Sequence, residues 1–129
     1  SYTVNPAKDE EVADAAIAAI NDLAGRPWLL YVHAIGPHGP YEPPAPYGDR
    51  FRGDAAARSA PDPEHAETLV RYDGEIAFTD FQFGRIVQTL RDRGLYDDTM
   101  IIVTSDHGEQ FWEHGRRGHG VSLHDEEIR

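Results

Sequence analysis

The sequence predicts an α/β fold, and three observations predict it. Trp28–Ala34 and Ile101–Thr104 are short apolar runs bounded by turn signals, a long amphipathic stretch separates them, and glycine or proline punctuates each boundary. A strand–helix–strand unit in this order is parallel and right-handed in nearly all proteins. Both strands then run the same way, and the loops that follow them leave the same edge of the sheet. Ligands of open α/β sheets bind beyond those strand ends. The topology thus predicts that side chains near residue 38 and near residue 106 approach one another.

The 129 residues are one domain's worth of chain, enough for a real core. A net charge of −11 argues against nucleic acid as a partner, because no basic run is present to neutralise phosphates. Cysteine is absent, which removes disulfides and thiolate metal sites. No apolar run has membrane-spanning length, and residues 1–129 contain no signal-peptide pattern.

Asn5-Pro6 reads as an N-cap with proline in the first helical position. Residues 9–24 follow as a helix with Val12, Ala16, Ile20 and Leu23 on one face and acidic residues in the first turn. Gly25 and Pro27 end it. The run Trp28–Ala34 fits a strand covered on both faces, so His33 within it is expected to be a hydrogen-bonded core residue. Residues 36–46 hold too much proline and glycine for regular structure and predict a stiff loop that carries His38 and Tyr41. Proline alone would justify a rigid surface connector; a stiff loop also holds a side chain at fixed geometry, as a catalytic site requires.

Residues 47–63 are polar and read as a mobile insertion. A helix is predicted over 64–93. Leu69, Ile76, Phe83 and Leu90 recur every seven residues, and Tyr72, Ile86 and Val87 widen the stripe into a core face. Gly74 and Gly84 weaken it by about 1 kcal/mol each, a cost that close packing would offset. Gly94 caps its end, and Asp97-Asp98 turn the chain into the second strand.

That second strand stops at Asp106, His107, Gly108 and Glu109. An aspartate offers a hard oxygen and a histidine a borderline nitrogen, a pair suited to a divalent cation. Asp106 reads equally as the N-cap of a short helix. The last segment, 110–129, has few large apolar residues and three histidines. Of these, His114 and His119 sit beside glycines, as in a metal-binding turn, while His124 reads as a solvated loop residue. An unrelated zinc hydrolase using His107, His114 and His119 is disfavoured, because the helix-spaced His–Glu pairing of such enzymes is missing.

Together these stretches resemble the sulfatase branch of the alkaline phosphatase superfamily. The resemblance rests on residues 30–44 (LYVHAIGPHGPYEPP), 72–80 (YDGEIAFTD), 104–109 (TSDHGE) and 113–129 (EHGRRGHGVSLHDEEIR), which follow the family's order and cover most of the chain. It implies part of an alkaline-phosphatase-like three-layer sandwich, with parallel strands and flanking helices. It implies that Asp106 and His107 ligate a divalent cation: calcium in a sulfatase, manganese or zinc in a phosphoesterase. His38 would contact the sulfate or donate a proton near it, and His119 would reach the sulfate oxygens. The substrate so implied is a sulfate ester of a small molecule or glycan, and a periplasmic or secreted setting is compatible with the resemblance.

Some of the family's pattern has no counterpart. The formylglycine nucleophile arises from Cys/Ser-x-Pro-x-Arg, which does not occur in residues 1–129, and the paired N-terminal aspartates of the metal shell are missing as well. Gly36 stands where relatives usually have aspartate. The expectation is therefore a central-to-late portion of a longer catalytic domain, inactive alone, whose exposed sheet edges favour self-association. Phosphonate monoester or phosphodiester hydrolysis on the same scaffold is the nearest alternative. A non-catalytic metal-binding or interaction module is the other.

Overall fold

Helix α1, Asp9–Leu23, forms where alanine dominates and three acidic residues occupy the first turn. It buries Ala13, Ala16 and Ile20, with Val12 and Leu23 half-covered, so the face read from spacing is the packed face. Gly25 stops it in the left-handed conformation at φ +89°, where a side chain would be strained. The computed structural model describes residues 8–23, 25–53 and 62–128, which divide at residue 100 into two units. The proposed Asn5 cap and Ala24 lie outside the described residues.

Helix α2 runs from Pro63 to Asp92, within one residue of the predicted limits. Asp62 caps it by accepting a hydrogen bond from the His65 amide at 3.0 Å, and Pro63 takes the first position, where no donor is lost. At its far end Gly94 adopts φ +66°, and the Leu95 amide reaches back to the Leu90 carbonyl at 2.8 Å. Thr99 closes a short 3-10 turn, Tyr96–Asp98, at the place the paired aspartates predicted a turn.

The packed face of α2 differs from the seven-residue stripe. Val70, Asp73, Gly74, Gln82 and Leu90 are buried, whereas Leu69, Tyr72, Phe83, Ile86 and Val87 are half-covered and Ile76 is exposed. The reason is what lies against the helix. A polar helix and a proline-rich loop do so in the first unit, and these accept aspartate, glutamine and glycine where a sheet would demand large apolar groups. The Arg85 guanidinium adds an ion pair to Asp14 of α1 at 2.5 Å.

Loop 36–47 lies along α2. Tyr41 is buried and meets Tyr72 edge-on at 5.3 Å between ring centres, Tyr47 meets Phe78 at 5.5 Å, and the Glu42 amide donates to the Glu75 carboxylate at 2.8 Å. Gly74 makes this approach possible, since a Cβ there would sit 2.8 Å from both Pro43 Cγ and the Tyr47 carbonyl oxygen. The predicted insertion thus begins as ordered structure: Tyr47–Asp49 is a 3-10 turn, and Arg52 joins Asp49 at 2.5 Å to Glu67 at 2.7 Å. Residues 54–61 lie outside the described residues.

The parallel sheet is corrected. Neither Trp28–Ala34 nor Ile101–Thr104 enters a ladder, and the described residues form instead one antiparallel pair, β1 (Gln110–Phe111) with β2 (Arg117–Gly118), in the second unit. A strand is held by its neighbours, and each run meets too little of the chain to be covered. Leu29 is 95%, Tyr31 81% and Ile102 79% exposed. His33 is exposed too, so it is not the core histidine that a two-sided strand implied. The three-layer sandwich is not formed by the described residues.

Two outcomes follow for the isolated chain. Gly74→Ala should destabilise it by about 1–3 kcal/mol through overpacking, despite alanine's better helix propensity. Gly84→Ala, where a new Cβ meets nothing within 4 Å, should stabilise it by up to about 1 kcal/mol; thermal unfolding of both variants checks the contrast. Light scattering should show a mass above the 14.4 kDa monomer as concentration rises, because unpaired apolar strands recruit one another.

Candidate active site

In the second unit a hairpin builds the site. The β1–β2 register pairs Gln110 with Gly118, and one step further along the same register sets Glu109 opposite His119. Across that gap the His119 Nδ1–H donates to both Glu109 carboxylate oxygens, at 3.3 and 3.4 Å. The Glu109 side chain is only 7% exposed, so this bond replaces water it has lost. The His107 ring lies against His119 at a tilt of 31°, with centroids 4.0 Å apart. Sequence reading had singled out His107 and His119 separately; the hairpin makes them neighbours and adds Glu109.

The tip of the hairpin is strained. Trp112 takes φ +70°, uncommon for a bulky side chain, and its amide closes onto the Arg116 carbonyl at 2.7 Å while Arg117 covers its ring at 5.6 Å. Gly115 follows at φ +72°.

Asp106 and His107 stand side by side at the end of the second apolar run. Asp106 does not cap a helix; its carboxylate accepts the adjacent His107 amide at 3.0 Å and is otherwise 81% exposed. The His107 Nδ1–H donates to the Gly108 carbonyl at 2.7 Å, which leaves the lone pair on Nε2, 3.8 Å from Asp106 Oδ1. An oxygen and an imidazole nitrogen at that separation fit two positions on one cation, and the carbonyl bond sets the tautomer that a ligand needs. The donor set is therefore suitable in kind but incomplete in number. Among the described residues no group of three or more His, Asp or Glu side chains converges on one point.

Glu127, on the four-residue helix α3 (Asp125–Ile128), holds this region in place. Its buried carboxylate accepts the Val121 and Ser122 amides at 3.1 Å each and the Ser122 hydroxyl at 2.5 Å, and its carbonyl accepts the Gly108 amide at 2.8 Å. The Ser122 hydroxyl, helped by those amides, keeps the carboxyl below its ordinary value of 4.5. His114 and His124 stack at 3.7 Å, and His114 Nε2 approaches Glu126 at 3.1 Å. His124, expected in a solvated loop, is exposed but stacked on that partner.

In the first unit, His38 is exposed on the stiff loop, its Nδ1–H donating to the Gly39 carbonyl at 2.7 Å. Loop and ring are thus each fixed. The residue that sequence reading missed here is Asp9. It was taken for a dipole-complementing acid, but it is buried and bound to the loop: Oδ1 accepts the Ile35 and Gly36 amides at 3.3 and 3.2 Å, and Oδ2 accepts the Thr79 hydroxyl.

The chain matches the Sulfatase family along residues 1–129, and it belongs to that family. Among curated proteins it is 35% identical to the low-salt glycan biosynthesis sulfotransferase Agl7 of Haloferax volcanii over 71% of this chain. It is 30% identical over 80% of the chain to the uncharacterized sulfatase YdeN of Escherichia coli, and 29% over 84% to the Escherichia coli phosphatidylethanolamine transferase Mcr-1. The chain spans 22%, 18% and 20% of those proteins' respective lengths. No solved structure matches it.

The Glu127 cluster has a definite acid response. Its folded pKa is depressed, so its stabilisation is complete above the ordinary carboxylate range and is lost as pH falls through the lowered value. Protection of the Gly108, Val121 and Ser122 amides, corrected for the intrinsic exchange rate at each pH, should be high above the ordinary carboxylate range and fall as pH drops through the lowered value. Glu127→Gln should leave these amides poorly protected on both sides of that value.

Proposed function

We propose that this chain is the imidazole-bearing portion of a sulfuric ester hydrolase, acting on a sulfate ester of a small molecule or glycan. The adjoining Asp106, His107, Glu109 and His119 within a sulfatase-family sequence carry this reading. Asp106 and His107 would hold a divalent cation, calcium by preference, which polarises the ester oxygens when bound. His119, when it carries a proton on both nitrogens, would donate to a sulfate oxygen through Nε2, its Nδ1–H being held by Glu109. His38, on its braced loop, would contact the sulfate or give a proton near it. In this reading each group would offset the negative charge that gathers on the ester oxygens as the bond breaks. A formylglycine nucleophile would belong to a part of the parent protein not contained in residues 1–129.

A second reading is supported by the likeness to Mcr-1, whose name describes phosphatidylethanolamine transfer: a phosphodiester or phosphonate ester substrate, with manganese or zinc. Assay of the full-length protein on aryl sulfate and aryl phosphonate esters separates the two. With the preferred ester, His38→Ala and His119→Ala should each lower kcat by roughly 10²–10³-fold. A change below about threefold in both would refute the assigned roles.

Calcium should bind the 129-residue chain no more tightly than about 1 mM, because two side-chain donors are too few for a cation that prefers six to eight oxygens. Calorimetry giving micromolar affinity that disappears in Asp106→Ala would show a more complete shell than the Asp106–His107 pair.

A further inference from the structure

We infer that Asp9 is a positioning residue for the His38 loop, holding the loop's entry from helix α1 through its carboxylate. The inference rests on the catalytic reading of His38 for its functional meaning, but not for its structural content.

Two observations carry it. Asp9 opens α1, yet its carboxylate is buried and spent on other elements: two hydrogen bonds to the backbone at Ile35 and Gly36, and one from Thr79 on α2. The two amides lie two and three residues before His38, at the hinge where the apolar run becomes the loop. One carboxylate thus fastens the loop's entry to both helices at once.

The second observation is steric. Gly36 is not in the left-handed region, so its backbone conformation does not demand glycine. Space does: a Cβ at 36 would lie 2.5 Å from Asp9 Oδ2 and 2.7 Å from the Thr79 hydroxyl. The Asp9 carboxylate occupies the volume that a side chain at 36 would fill.

The inference predicts that positions 9 and 36 are coupled with a specific sign. Asp9→Ala should free the Ile35 and Gly36 amides, whose hydrogen exchange rises at least tenfold. Gly36→Asp alone should do likewise, since two carboxylates contend for one space. Asp9→Ala combined with Gly36→Asp should bring exchange back to within about threefold of the original, as a carboxylate again meets Thr79. Should Asp9→Ala fail to fold, Asp9→Ser, which keeps a small polar group at the start of α1 but is too short to reach the two amides, replaces it in the same cycle.

In the full-length protein, Asp9→Ala should lower kcat by roughly ten- to a hundredfold through misplacement of His38, with KM changed less than threefold, and the double substitution should restore it. Exchange in the double variant as fast as the two single effects combined would overturn the inference. So would unchanged kcat in Asp9→Ala when His38→Ala is inactive, since the tie would then brace the fold alone. If instead His38→Ala retains full activity, the catalytic reading of His38 falls, and the exchange cycle still judges the carboxylate substitution by itself.

Discussion

A loop without regular structure can present an imidazole reproducibly only when something rigid stands directly behind it, and the first unit is arranged around meeting that condition. The rigid body is helix α2, and the contact that admits the loop is the missing side chain at Gly74, against which Pro43 and the Tyr47 carbonyl settle. Proline limits the loop's own conformations; the helix limits where the loop lies. Tyr41 on Tyr72, Tyr47 on Phe78 and the Glu42–Glu75 bond then distribute the attachment along one face of α2. A larger residue at 74 would force these contacts apart together, because packed interiors do not yield smoothly.

The second unit reaches the same end by different means. It has little apolar material, so polar groups take the structural role. Glu127 satisfies two amides and a hydroxyl with its carboxylate and the Gly108 amide with its carbonyl, and Glu109 holds His119. Desolvated carboxylates of this kind are costly unless fully paired, and that cost makes their geometry well defined. The two units thus illustrate two routes to a fixed imidazole: a braced loop for His38, a pinned hairpin for His119.

How much of this was legible in the sequence depended on whether the deciding interaction was local. Helices α1 and α2 announced themselves by composition, spacing and caps, and their ends fell within a residue or two of expectation, since Gly25 and Gly94 terminate them by local conformation. The two apolar runs misled because a strand is a property of its neighbours: Leu29 and Ile102 have the right chemistry for a sheet but meet no ladder partner among the described residues. Among the site residues, Asp106, His107, His38 and His119 stood out by type and by resemblance. Asp9, Glu109 and Glu127 did not, because each acts on partners 5 to 70 residues away and looks, in its own stretch, like one more acid in an acidic chain.

The bond between the Gly108 amide and the Glu127 carbonyl, with the carboxylate of the same residue holding Val121 and Ser122, closes the base of the hairpin as a buckle closes a strap. Chain length on either side of such a closure is not equally adjustable. Residues may be gained or lost around the exposed bend at 113–116 while the acid–imidazole pair stays where it is. A single insertion between Gly120 and Glu127 would move the buckle itself and carry the Asp106–His107 turn out of register, which leaves the bend as the place that tolerates a change of length.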